Sequence, residues 1–171
     1  MDRRLLAAAY HRSADGYDER FRDLQRAKFR AAGPLLGKAG GLCLDAGGGT
    51  GLFVEWLRAE AHPLQAARWL ELDLSLAMLK IARARTPLLL AADLARPALR
   101  PASIEIIVAF TSVLDEVPRA LRELGRLLKP GGQLVVSFLA AEAPASFGDA
   151  LRVEAGPVPA GQDHLFALRK A

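Results

Sequence analysis

The sequence predicts an α/β domain on a seven-stranded sheet: five parallel strands, a C-terminal antiparallel hairpin, and helices on both faces. Three observations carry this. Short apolar runs recur at 41–47, 68–74, 88–93, 103–110 and 133–139, each the length of a buried strand. Most are separated by helically spaced segments, the rhythm of βαβ units. The tail drops that rhythm, since 151–158 and 163–170 flank a Pro-Ala-Gly turn at 159–161 and read as a hairpin.

Taken in order, residues 1–32 form an N-terminal helical arm. From residue 3 it is rich in Ala, Leu and alternating charge, lacks proline, and breaks near Ser13-Ala14-Asp15-Gly16. GLCLDAG (41–47) is the first strand and ends in glycines. Leu52, Phe53, Trp56 and Leu57 then have helical spacing. RWLELDL (68–74) is the second strand, and Ser75 caps a helix carrying Leu76, Leu79 and Ile81. LLLAAD (88–93) is the third. Pro97 and Pro101 bracket a loop before SIEIIVAF (103–110), a strand of mostly branched residues. Residues 116–128 place Val117, Leu121, Leu124, Leu127 and Leu128 on one side. Pro130-Gly131-Gly132 stops that helix, and QLVVSFL (133–139) follows. No repeat or linker divides the chain, so 1–171 reads as a single domain with its core at 41–140 and the hairpin at 151–171.

Composition sets the class. At 171 residues, 51% hydrophobic and 25% charged, the chain suits one globular core. No apolar run reaches the ~18–20 residues of a membrane span, and the basic start MDRRLLAAAYHR lacks a long apolar region, so a cytoplasmic protein is expected. A single cysteine, Cys43, excludes an internal disulfide. The net charge of +4 is small and spread out, which favours a solvated surface over a polyanion-binding one. No metal site is expected.

The chemistry lies in LDAGGGTG (44–51). A dinucleotide fingerprint, G-x-G-x-x-G from Gly47, fails at Leu52, and no Gly-Lys-Ser/Thr follows for a phosphate loop. Asp45 would also repel a phosphate. A cationic ligand reverses the argument: glycines admit its backbone-hugging portion while an acid favours its positive end. Asp45-Ala-Gly47-Gly-Gly49-Thr-Gly51 resembles the D-x-G-x-G-x-G motif of class I S-adenosylmethionine-dependent methyltransferases. Asp73, twenty-two residues after Gly51, stands in Asp73-x-Ser75-x-x-Met78-Leu79, similar to the family's second motif. Residues 121–138, with LKPGG as a turn, resemble its fifth-strand region. The fourth strand departs from the family's S-F-D-x-V, with Ile104 for the aromatic and Glu105 for the aspartate.

The resemblance covers roughly residues 17–140. It implies a Rossmann-like fold, S-adenosylmethionine as cofactor, and methyl transfer. It implies Asp45, Gly47, Gly49 and Gly51 along the cofactor, and Asp73 with Leu74 at the ribose, Glu71 being the alternative acceptor. Asp93 and Leu94 fall beside the adenine, Asp93 otherwise being a loop cap. Tyr17, in a Y-D-x-x-F segment, either touches the cofactor or packs on the sheet edge.

The acceptor is less defined. Cys43 lies inside a strand, which argues against a cysteine nucleophile, and the chain lacks the Asn/Asp-Pro-Pro-Tyr/Phe loop of amino-methylating enzymes. Asp115 and Glu116 are candidates for a base or for helix caps. His164 is a candidate for a catalytic or substrate role, against a surface strand histidine; His11 lies in the arm and His62 precedes a proline. An oxygen or nitrogen of a small molecule is the favoured acceptor. RNA or protein methylation and a non-catalytic cofactor-binding module are the alternatives, and a dehydrogenase is disfavoured by Leu52 and Asp45. Little chain at 140–150 is available as a lid. The pocket is therefore either open or completed by the arm, a second copy or a partner protein.

Overall fold

The computed structural model describes residues 14–171; His11 and the start of the arm lie outside them. Helix α1 spans Tyr17–Ala32 and is entered through Gly16, left-handed at φ 78°, the expected break. Strand β1 (Leu42–Ala46) follows, then α2 (Leu52–Ala59), β2 (Arg68–Asp73), α3 (Leu76–Ala82) and β3 (Leu88–Ala91). Next come β4 (Ile104–Phe110), α4 (Val117–Leu127), β5 (Leu128–Leu139) and the hairpin of β6 (Leu151–Ala160) and β7 (Asp163–Lys170). Ser75 caps α3 as its sequence suggests, its Oγ accepting from Met78 N at 3.3 Å.

The seven strands lie in the order β3-β2-β1-β4-β5-β7-β6. The first five run parallel, and β7 returns antiparallel between β5 and β6. The chain reverses direction across the sheet between β1 and β4, the point where ligands of open α/β sheets bind. Side-chain alternation sends each strand into two cores. Leu44, Leu72 and Ile107 meet Leu121, Leu124 and Leu127 of α4 on one face. Cys43, Ile106 and Val108 meet Phe53, Trp56 and Leu57 of α2 on the other. Burial pushes the Cys43 thiol up to about 12, in keeping with a core residue.

Strand β5 differs from expectation. LKPGG, expected as a turn, lies within the strand: Leu128 pairs with Ile104 and Gln133 with Ile106, so residues 129–132 bulge opposite Glu105. Lys129 Nζ reaches Glu105 Oε1 at 2.8 Å, while Glu105 Oε2 accepts from the amides of Gly40 and Gly41. These contacts hold Glu105 below its ordinary pKa, the Lys129 hydrogen bond first, and tie the bulge to the loop entering β1. Strand β6 is the outer strand and carries Pro157 and Pro159.

Helix α1 is fixed in two ways. Phe29 enters the core, its ring 5.3 Å from Phe53 and 5.1 Å from Phe110; such aromatic pairs contribute about 0.5–1.5 kcal/mol each. Nearer its start, Asp18 accepts from Arg85 Nη2 at 2.5 Å and from Thr50 Oγ1 at 2.6 Å, and Arg22 pairs with Glu55. The arm thus lies over the C-terminal ends of the strands, and 140–150 supplies no lid: Phe147 folds back onto Phe166 at 4.9 Å. Among the described residues no helix is long and apolar enough to cross a membrane.

Candidate active site

The glycine loop leaves β1 at the sheet's reversal point. Gly47, at φ +73°, donates its amide to Leu72 O at 2.6 Å, and a Cβ there would stand 2.4 Å from Ser112 Cβ. Ser112 in turn donates to Ala46 O at 2.6 Å, locking the loop after β4 against the glycine loop. Gly49 donates to Asp73 Oδ2 at 3.0 Å, and Ser75 N to Asp73 Oδ1 at 2.7 Å. Gly51 sits below, at φ +80° as the entry to α2, with Ala82 and Arg85 about it.

Beneath the loop three carboxylates are crowded together. Asp45 is 2% exposed and Glu71, its β2 neighbour in register, is fully buried. Neither Glu71 oxygen, nor Asp45 Oδ2, has a hydrogen-bond partner among the described residues. Burial, then the nearby Asp73, pushes Asp45 up to about 8; burial, then Asp45 and Asp73, holds Glu71 well above its ordinary value. Burial also raises Asp73, against hydrogen bonds from Ser75, Gly49 and Leu74. The crowding disfavours ionisation of these acids, and a cation brought against them would favour their ionised form.

A cavity of about 400 Å³ opens above. Tyr17, Gly47, Gly49, Asp73, Leu74, Asp93 and Leu94 all line it, and Asp93 Oδ1 also caps its own loop by accepting from Ala95 N at 2.8 Å. Asp45 lies instead on an adjoining recess of about 30 Å³, together with Tyr17 and Gln25. Gln25 Nε2 donates to Tyr17 Oη at 3.2 Å; its buried Oε1 has no partner among the described residues. Two unpartnered acceptors, Gln25 Oε1 and Asp45 Oδ2, therefore belong to residues flanking a space the size of an ammonium.

The far end of the cavity holds Lys28, Ser137 and Asp163, which sequence reasoning missed, beside Thr111 of the loop after β4, where the methyl site was expected. Lys28 Nζ lies 3.0 Å from Asp163 Oδ2, with the two side chains 4% and 1% exposed. Lys28 also donates to Thr111 Oγ1, while Thr111 Oγ1 and Ser137 Oγ donate to Asp163 Oδ2 at 2.5 and 2.7 Å. Burial raises Asp163, but the hydrogen bonds from Thr111, Ser137 and Lys28 and the Lys28 charge outweigh it and hold the carboxyl below its usual range. Thr111, at φ +51°, is a β-branched residue in left-handed backbone, a strain typical of functional sites. Lys28, Thr111 and Asp163 line the cavity.

The candidates for acid–base chemistry are scattered. Asp115 lines the cavity and accepts from Glu116 N at 2.9 Å. Glu116 is the left-handed entry to α4, 3.8 Å from Arg119, and does not line the cavity. His164 pairs across the sheet with Phe138 and also stands outside the lining, one residue past Asp163.

A glycine loop at the sheet's reversal point, with acids around it and a cavity above, makes this a ligand-binding α/β domain of the doubly wound kind. The family model described as a methyltransferase domain matches residues 44–136. Malonyl-[acyl-carrier protein] O-methyltransferases from Pectobacterium atrosepticum and Serratia marcescens are 35% and 32% identical over 81% and 88% of this chain. The chain spans little more than half the length of these curated relatives, 54% and 58%. A TehB-like S-adenosylmethionine-dependent methyltransferase from Corynebacterium glutamicum has the same fold, at 23% identity and a TM-score of 0.67, over 92% of this chain and 97% of that one. The chain belongs to the class I S-adenosylmethionine-dependent methyltransferases, and S-adenosylmethionine is its cofactor. The residues present are compatible with that molecule: Asp45 Oδ2 and Gln25 Oε1 are buried acceptors without partners among the described residues, and Asp73 lines the cavity.

Proposed function

We propose that this chain methylates an oxygen or nitrogen of a small molecule, and that a carboxylate on a short acyl thioester is the first acceptor to try. The cavity carries the reading. It runs from Asp73 and Asp93 to Thr111 and Asp163 under α1, and its roughly 400 Å³ lies in the range of small-molecule sites. That volume suits an adenosyl group with a small acceptor group. The names of the two curated relatives point to the same chemistry, since a malonyl thioester offers a free carboxylate oxygen.

Bound S-adenosylmethionine supplies a methyl group on a sulfonium, already activated for in-line displacement. The chain's own part is alignment and exclusion of water. Asp45, Gln25 and Asp73 would hold the donor, with Leu74 and Leu94 against its base and ribose. Phe21 and Leu24 of α1 cover the cavity. A carboxylate acceptor is ionised near neutral pH and needs no base, which agrees with Asp163 being committed to three donors.

Large exposed apolar residues, Phe21, Leu24, Leu74 and Leu114, line the cavity at 37–45% exposure. An RNA acceptor would instead call for cations there. The test is labelled methyl donor with malonyl-N-acetylcysteamine, total RNA and total protein in parallel. Base-labile methyl ester on the thioester is expected. Label confined to RNA or protein would reject the reading, and donor binding without transfer to anything would mark a binding module.

A further inference from the structure

We propose that Lys28 selects the acceptor, giving its remaining N–H to a carboxylate on the molecule to be methylated. The inference rests on the small acyl acceptor proposed above and names the group that would recognise it.

Lys28 stands at the opposite end of the cavity from the acids. Asp73 ends β2 and Asp93 lies two residues past β3, on one side of the sheet's reversal point. Thr111 directly follows β4, and Ser137 and Asp163 belong to β5 and β7, on the other side, with Lys28 of α1 against Thr111 and Asp163. The cavity thus has one half lined by Asp73 and Asp93 and another that holds the buried Lys28–Asp163 pair. Two of the three ammonium hydrogens go to Thr111 Oγ1 and Asp163 Oδ2. The third has no partner among the described residues, and Lys28 lines the cavity. Leu24, Phe110 and Leu139 of the lining are apolar, so an entering carboxylate meets the Lys28–Asp163 pair, with Lys28 as its cation, beside apolar walls.

A stabilising role explains this pair poorly. Buried ion pairs barely offset the cost of desolvating both charges, and apolar replacements are often neutral or better. Asp163 has instead a moderating effect: by cancelling part of the Lys28 charge, it keeps a carboxylate acceptor from binding too tightly. Transfer forms one O–C bond from a carboxylate lone pair and breaks the donor's C–S bond, with no proton moved. The products are a neutral ester and a neutral thioether. The ester has lost the charge that held it to Lys28, which favours its release.

The test compares Lys28→Met and Asp163→Asn with malonyl-N-acetylcysteamine as acceptor at saturating donor. Lys28→Met is expected to raise the acceptor KM by about tenfold or more, the loss of a charge-assisted hydrogen bond, whereas Lys28→Arg recovers part of it. Asp163→Asn is expected to lower that KM, because it leaves the ammonium uncancelled. Affinity for S-adenosylhomocysteine, measured by calorimetry, should be unchanged in both. If both variants raise the KM alike, the pair is a structural tie and the inference is wrong while the proposed acceptor stands. If the wild type methylates no carboxylate acceptor, both fall. Should Lys28→Met fail to fold, the direction of the Asp163→Asn effect decides alone.

Discussion

Glu71 occupies the space that a side chain on Gly48 would need: a Cβ at Gly48 would stand 1.6 Å from Glu71 Oε1. The same Cβ would lie 2.5 Å from Asp45 Cγ, so the loop's middle glycine is demanded by the acids under it and not by its own backbone angles. Gly48→Ala should destabilise the fold by about 1–3 kcal/mol through overpacking. In a Glu71→Ala background the cost should shrink, and a double-mutant cycle by urea unfolding measures the coupling. Independent, additive effects would show that the clash is relieved elsewhere.

The crowded carboxylates also set a pH dependence. Asp45 and Glu71 have folded pKa values above their ordinary 3.8 and 4.5. As pH rises from there, the unfolded chain ionises while the folded chain keeps its protons, so their contribution to stability falls, for Asp45 until about pH 8. Glu71→Gln abolishes the Glu71 part. The variant should therefore gain melting temperature over the wild type at pH 8 and little at pH 4. An equal difference at both pH values would mean that Glu71 is ionised in the folded state.

Asp73 joins the glycine loop to the turn before α3 through two backbone amides. Asp73→Ala should weaken S-adenosylmethionine binding by about tenfold or more, the scale of a lost charged hydrogen-bonding partner. Calorimetry reads this directly, and unaltered affinity would place the ribose elsewhere.

Asp18 clasps α1 to Arg85 and Thr50. Asp18→Ala should speed release of S-adenosylhomocysteine in stopped-flow displacement, with a stability change of about 1 kcal/mol or less, since these groups are only partly buried. Added salt should speed release in the wild type and do so less in the variant.

Much of this was legible in the sequence, and the limits have a physical origin. The strand runs, the Ser75 cap and the hairpin follow from local periodicity and turn chemistry, so they could be read without tertiary information. Asp73 and Asp93 were legible because strand ends fix where a side chain emerges. Lys28 was not: in sequence it is an ordinary polar position on an amphipathic helix, and its partners Thr111 and Asp163 are both more than eighty residues away. The hints were Thr111 in the loop after β4, where the methyl site was expected, and Asp163 beside the singled-out His164 at the start of β7. The bulge in β5 was hidden for a similar reason, because Pro130-Gly131-Gly132 also spells a turn and only Glu105 and Lys129 decide otherwise.

The outer strands bear on how copies of the molecule meet. Among the described residues, β6 is an outer strand of the sheet, interrupted by Pro157 and Pro159, two positions with no amide hydrogen to give an incoming strand. The opposite edge, β3, is only four residues long. Neither margin is a good template for continuing the sheet into a neighbour, which guards against fibrillar stacking at high concentration. A second copy would have to dock through side chains, leaving the cavity mouth and its apolar rim as the more adhesive face.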